Sequence, residues 1–146
     1  MATSFRGAYE HQLDDKNRLR IPSKFRKELL GEYGEKTYSF LRGLNGCIYV
    51  LPDETLDRVL EKLNDKKLTN DSKGALMFYS NIFSAEEDAQ GRVLLSKELI
   101  AFAGITKNIV FVGVGNRVEI WAEEEWNKID EDDENADFSV LAKFGV

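Results

Sequence analysis

The stretch LDDKNRLRIPSKFR, residues 13–26, is the most informative part of this chain for its fold. It begins with Asp14, and Arg18 follows four positions later across residues 15–17. Asparagine tolerates the left-handed backbone and aspartate bonds nearby backbone amides, so this segment predicts a tight turn. In the next three residues, 19–21, apolar and cationic side chains alternate, which predicts a short strand with one apolar and one cationic face.

A helix is predicted directly after this strand. Pro22 ends the strand, and Ser23 is expected to cap the N-terminus of a helix over residues 24–30. Gly31 and Gly34 then close it. The sequence therefore predicts a turn, a short strand and a helix in succession between residues 14 and 30.

A second copy of this pattern, DAQGRVLLSKEL, lies at residues 88–99. Asp88 and Arg92 repeat the aspartate–arginine spacing, and Ser96 stands where the first copy has Pro22. In both halves a short helix, a predicted hairpin and the start of another helix follow in the same order. This order indicates two repeats in one chain.

The repeats divide the chain into four parts. The predicted boundaries are a first repeat at 5–67, a connecting helix at 68–83, a second repeat at 84–129, and an acidic segment with an apolar C-terminus at 130–146. At 146 residues these parts are expected to form one compact structural domain. The acidic run DEDDENAD, 130–137, is expected to stay solvated.

Composition narrows the class of protein. Apolar residues make up 42% of the chain and charged residues 32%, as in ordinary globular proteins. No apolar run approaches the roughly 20 residues that span a bilayer, and the N-terminal residues lack the apolar core of a secretory signal. Cys47 is the single cysteine, so no intrachain disulfide can form. These features predict a cytoplasmic protein.

Charge is distributed unevenly along the chain. The net charge is −6, but residues 1–73 carry a net +2 and residues 74–146 a net −8. An acidic average does not exclude a polyanionic partner, because binding depends on the local field. A solvated basic face is the alternative interpretation. The excess cations are Arg6, Lys16, Arg18, Arg20, Lys24, Arg26 and Lys27.

Catalytic signatures are weak. His11 and Cys47 are the only histidine and cysteine, and no local motif joins them. Cys47 is predicted to be a small core residue and His11 a strand or surface residue. No glycine-rich phosphate loop and no Cys/His metal spacing is present. We therefore expect no enzymatic activity, cofactor, metal or small-molecule substrate.

The two turn motifs, together with FRG at residues 5–7 and CIYVLPDETLD at 47–57, resemble the MraZ family. Members of that family carry two AbrB/SpoVT-type repeats in one chain. The resemblance implies a mixed α+β fold, in which two intertwined swapped-hairpin repeats form a small β-barrel with flanking helices. Two positions depart from the family pattern: Asn17 replaces the usual glycine, and Ser96 replaces the second proline.

The resemblance also implies a function. It implies a homo-oligomeric ring that binds double-stranded DNA at direct repeats upstream of the division and cell-wall gene cluster, including its own promoter. A nucleoid-associated transcriptional regulator with no membrane partner is therefore expected. A ring-forming scaffold, whose basic strand faces the next subunit, and an RNA binder that uses the same cations are the alternatives.

The expected DNA face belongs mainly to the first repeat, because the second copy lacks most of the flanking cations. Asp14 and Asp88 would repel phosphate, so each is expected to organise its turn and fix an arginine fork. Lysine and arginine neutralise phosphates, and arginine also reads guanine in the major groove. The predicted DNA-binding residues are Lys16, Arg18, Arg20, Lys24, Arg26 and Arg92.

Overall fold

A computed structural model of the chain describes residues 4–65, 73–131 and 140–145. The first repeat contains β1 (Phe5–Gln12), β2 (Arg18–Arg20), α1 (Ser23–Leu30), β3 (Tyr38–Arg42), β4 (Ile48–Pro52) and α2 (Asp53–Asp65). Then follow α3 (Lys73–Ser80), β5 (Phe83–Ser84), β6 (Arg92–Leu94), α4 (Lys97–Ala103), β7 (Asn108–Gly115), β8 (Val118–Ala122), α5 (Glu123–Glu131) and α6 (Val140–Lys143). The predicted order of elements is present in both repeats.

The strands form one large sheet and one small ribbon, and both combine strands of the two repeats. The sheet has the order β1-β7-β8-β4-β3-β5, and β2 pairs with β6 in the ribbon. All pairings are antiparallel. The first strand of each repeat pairs with the hairpin of the other, β1 with β7 and β5 with β3. The two repeats are therefore interleaved rather than placed side by side.

The mixed α+β class is confirmed, whereas the small closed barrel is not. The six strands form an open sheet, because the edge strands β1 and β5 do not pair with each other. Strand length offers a physical reason. β1 pairs along eight residues, but β5 has only two, Phe83–Ser84, and both are paired with β3.

One apolar cluster connects the ribbon, the sheet and the helices. Leu19 of β2 and Val93 of β6 are each only 2% exposed and point into it. Phe25 of α1 makes edge-on ring contacts with Phe5 and Tyr9 of β1, at centroid distances of 6.0 and 5.2 Å. Since this core takes side chains from both repeats, neither repeat buries its apolar residues alone.

The two short helices begin differently, and the predicted cap of α1 is wrong. The N-cap residue of α1 is Pro22 and no side chain caps the helix, because Ser23 already lies one residue inside it. In the second repeat Ser96 is the N-cap of α4, and its Oγ accepts the Leu99 N–H at 3.2 Å. The departure at Ser96 thus supplies a side-chain cap that the first repeat lacks.

Three predicted segments lie partly outside the described residues. These are the first repeat at 66–67, the connecting segment at 68–72, and the C-terminal segment at 132–139 and 146. Within the described ranges, no helix has both the length and the apolar character needed to cross a membrane.

Candidate nucleic-acid interface

The β2–β6 ribbon sorts its side chains onto two faces. Leu19 lies opposite Val93 and points into the core. On either side of this pair, Arg18 is opposite Leu94 and Arg20 is opposite Arg92. Because successive residues of a strand point to opposite faces, these four outer side chains share the surface turned away from the core. Three of the four are arginines.

The turn before β2 is held by Asp14. Its Oδ1 accepts the backbone N–H groups of Lys16 and Arg18, both at 2.9 Å, and its Oδ2 accepts Arg18 Nε at 2.8 Å. Asn17 takes the positive φ of 61° that the turn requires. Lys16 is left exposed at the tip of the turn.

The turn before β6 repeats this geometry. Asp88 accepts the backbone N–H groups of Gln90 and Arg92 at 2.9 Å, and Arg92 Nε at 2.9 Å. Gly91, with φ of 77°, occupies the place of Asn17. The first turn is also bonded to the end of β6, because the Leu95 N–H donates to the Asn17 carbonyl at 2.9 Å.

Each aspartate orients its arginine without covering it. Both arginines use Nε for the ion pair, and their Nη groups make no further hydrogen bond within the described part of the chain. Hydrogen bonds from the backbone N–H of Arg18 lower the pKa of Asp14, and those from the Arg92 N–H lower the pKa of Asp88. Both carboxylates therefore stay ionised, and two arginine forks face outward with free donors.

Arg20 differs from the other two arginines of the ribbon. It is exposed and has no carboxylate or hydrogen-bond partner among the described residues, and it lies directly opposite Arg92. Like charges at directly opposed positions of a strand pair are destabilising. An anion bound on this face would offset that repulsion.

Of the remaining predicted cations, Lys24 is exposed in the first turn of α1, and Arg26 is ion-paired although its side chain is 43% exposed. Arg26 pairs with Glu87, with Nη2 at 2.7 Å from Oε1 and Nε at 3.1 Å from both carboxylate oxygens. Glu87 also accepts the Tyr38 hydroxyl at 2.7 Å, and its side chain is only 15% exposed. This pair joins α1 of the first repeat to the segment that leads into β6.

Comparison with known proteins identifies the family. The family model described as "MraZ protein, putative antitoxin-like" matches the chain twice, over residues 4–79 and 77–143. The chain belongs to the MraZ family. Relatives named "Transcriptional regulator MraZ" include one from Clostridium acetobutylicum, which is 40% identical over an alignment of 146 residues. That alignment covers 97% of this chain and 99% of the relative. A second, from Lactobacillus gasseri, is 45% identical over 136 residues, covering 91% of this chain and 92% of the relative.

The histidine of this MraZ family member lies beside the ribbon. His11 of β1 borders a shallow surface groove together with Arg18, Arg20 and Arg92. Its ring contacts Phe111 edge-on at 5.3 Å, and burial lowers its pKa. The side chain is therefore neutral at pH 7, and the prediction of a strand residue is confirmed.

Cys47 is confirmed as a core residue. It is fully buried, and its Sγ donates to the Leu44 carbonyl oxygen at 3.2 Å. Burial raises the pKa of this thiol to about 12. Since the thiolate is the reactive form, Cys47 is not placed to act as a nucleophile.

Two residues of the interface region were missed by the sequence reasoning. Glu87 gives no local signal, because its partners Arg26 and Tyr38 are distant in sequence. Leu94 could have been found, since the alternation through Arg92 and Val93 places it on the outer face.

The two turn carboxylates predict an acid-sensitive stability. Because the pKa values of Asp14 and Asp88 are lowered in the folded protein, the unfolded chain binds more protons in acid, and their stabilising contribution is lost as the pH falls below about 4. We expect the free energy of unfolding, measured by urea denaturation, to decrease over that interval. Combining Asp14→Asn with Asp88→Asn should make the decrease smaller, and an unchanged decrease would rule out this role.

Proposed function

We propose that this chain is a sequence-specific DNA-binding transcriptional regulator of the division and cell-wall gene cluster, including its own promoter. The relatives named "Transcriptional regulator MraZ" support the regulatory role. The outward arginines of the β2–β6 ribbon carry the proposal, because Arg20 has no carboxylate partner among the described residues and the Nη donors of Arg18 and Arg92 remain free for an anionic ligand. Arg20 opposite Arg92, with no carboxylate beside Arg20, is the single most telling observation.

The ribbon has the dimensions and chemistry for the major groove. The groove of B-DNA is about 12 Å wide and admits a two-stranded β-ribbon. An oriented guanidinium can donate to both guanine O6 and N7, which contributes roughly 1–3 kcal/mol of discrimination. We assign this reading to Arg18, Arg20 and Arg92, and phosphate contacts to Lys16 and Lys24. Arg26 uses Nε and Nη2 for Glu87, so we propose its phosphate contact for Nη1 of this half-exposed side chain.

Oligomerisation completes the proposal. One three-residue ribbon offers few contacts, so useful affinity requires several copies bound at once. We propose a homo-oligomeric ring that presents the ribbon to direct repeats of a short DNA site in the nucleoid. Linking several ribbons in one ring raises the overall affinity for repeated DNA sites without adding contacts to any single ribbon.

A protein scaffold is the second candidate. Helix α3 exposes Leu76 and Met77, and an apolar groove between the β3–β4 hairpin and α2 is lined by Leu41, Leu51 and Phe78. Both features are suited to contacts between proteins. Under this alternative the protein acts by assembling into a ring, and the basic ribbon faces the next subunit.

Titration of three nucleic acids separates these functions. The upstream fragment of the gene, a scrambled fragment of equal length and a duplex RNA are each titrated over a range of salt concentrations, with oligomer size followed by light scattering. We expect tight, salt-dependent binding of the upstream fragment alone. Equal, weak binding of all three by an intact oligomer favours the scaffold, and preference for the duplex RNA favours an RNA binder.

A further inference from the structure

One apolar side chain stands among the arginines of the ribbon. Leu94 is 66% exposed on the outer face and lies directly opposite Arg18. Scattered surface leucines need no explanation. This one occupies one of only four outward positions on the ribbon, and the other three are cationic.

The repeat relates Leu94 to Arg20. Each residue is two positions after the arginine that its turn aspartate holds, Arg92 in one case and Arg18 in the other. The ribbon is therefore symmetric in backbone and in its two held arginines, but one end carries a cation where the other carries an apolar group. Diagonal neighbours of this kind lie about 7–8 Å apart, close to two base-pair steps of 3.4 Å.

We propose that Leu94 is a specificity-determining residue that contacts the C5-methyl group of a thymine in the major groove. This inference rests on the proposed DNA-binding function. Among the major-groove edges of the four bases only thymine carries a methyl group, and apolar side chains recognise it by contact. A carboxylate at this position would accept hydrogen bonds from the neighbouring arginines and so compete with the base edges for their donors, whereas leucine leaves those donors free.

This arrangement would give the ribbon a defined orientation along the DNA. The Arg20 end of the ribbon has the donors that guanine accepts, and the Leu94 end has the apolar surface that a thymine methyl fills. One ribbon therefore reads a different base at each end. The site recognised by one subunit is chemically asymmetric, although the backbone that reads it is nearly two-fold symmetric.

Replacing thymine by deoxyuracil tests the contact, because it removes only the methyl group. Each thymine of the bound fragment is replaced in turn, and the affinities of the intact protein and of Leu94→Ala are measured. We expect one position in each repeat of the site at which uracil weakens binding by the intact protein about fourfold, the effect of one buried methyl group. Leu94→Ala should bind the thymine fragment more weakly by a similar factor for each subunit engaged and should not distinguish uracil at these positions.

Three further variants make the result specific. Leu94→Met keeps an apolar side chain and should retain the discrimination. Tyr33→Ala removes another exposed hydrophobic side chain, 85% accessible and outside the ribbon, and should behave as the intact protein does. Arg20→Ala should weaken binding overall and still distinguish uracil from thymine wherever binding is measurable.

The outcomes separate this inference from the function on which it rests. If the intact protein binds the fragment but is indifferent to uracil at every position, or if Leu94→Ala discriminates as well as the intact protein, the Leu94 contact is overturned. A change in oligomer size by Leu94→Ala with unchanged discrimination assigns the residue to a subunit contact and also overturns it. If the intact protein shows no preference for the upstream fragment, the proposed function itself fails.

Discussion

Arg20→Ala is expected to weaken binding of the upstream fragment by roughly 5- to 150-fold for each subunit engaged, the range of one specific arginine contact. Arg20 is chosen because it has no carboxylate partner in the described part of the chain, so its whole charge is available to DNA. Removing it also relieves the repulsion from Arg92. The variant should therefore fold at least as well as the intact protein while losing affinity.

Matched variants show whether the loss is specific to the ribbon. Arg58, exposed on α2, provides the control, and Arg58→Ala should leave affinity almost unchanged. Arg20→Lys keeps the charge but not the fork, so it should retain the salt dependence and lose the preference only at the base that Arg20 reads. If Arg20→Ala and Arg58→Ala weaken binding equally, the ribbon has no special role.

The second large effect concerns the interleaved fold. Separating the chain between residues 65 and 73 should give two halves that do not fold alone. In the intact chain β1 pairs along all eight residues with β7, and the ribbon takes one strand from each half. Each isolated half would expose long unpaired strand edges and half of the shared apolar core.

Circular dichroism and urea denaturation of the halves measure this effect. Each half alone should show no cooperative unfolding transition, and an equimolar mixture should recover one. The intact chain, cleaved between the same residues after folding, provides the reference for the mixture. Cooperative unfolding of either half by itself would contradict the interleaved arrangement.

Local patterns predicted much of the fold correctly. The spacing of Asp14 and Arg18 predicted the turn, and the alternation of apolar and cationic residues directly after it predicted β2. These predictions succeeded because turn chemistry and strand periodicity are local properties. The prediction of a cap at Ser23 was wrong because Pro22 is the N-cap, so that Ser23 is already the first residue of the helix.

Contacts between the repeats were less accessible from the sequence. The pairing of β2 with β6 requires knowledge of which strand edges remain free after folding, and no local pattern supplies it. The Arg26–Glu87 pair joins residues 61 positions apart. For the same reason sequence reasoning grouped Arg26 with the free cations. The sequence showed that the second copy has fewer cations than the first. It did not show that Leu94 lies opposite Arg18 on the outer face of the ribbon, which the strand register establishes.

Photo-crosslinking tests the central claim most directly. A photoreactive side chain is placed at Lys16, at Gln90 or at Arg58, and each protein is irradiated with the upstream fragment. The two turn positions, Lys16 and Gln90, should crosslink to the fragment, and Arg58 should not. Crosslinks from Arg58 but from neither turn would contradict the assignment of the β2–β6 ribbon as the DNA-binding face.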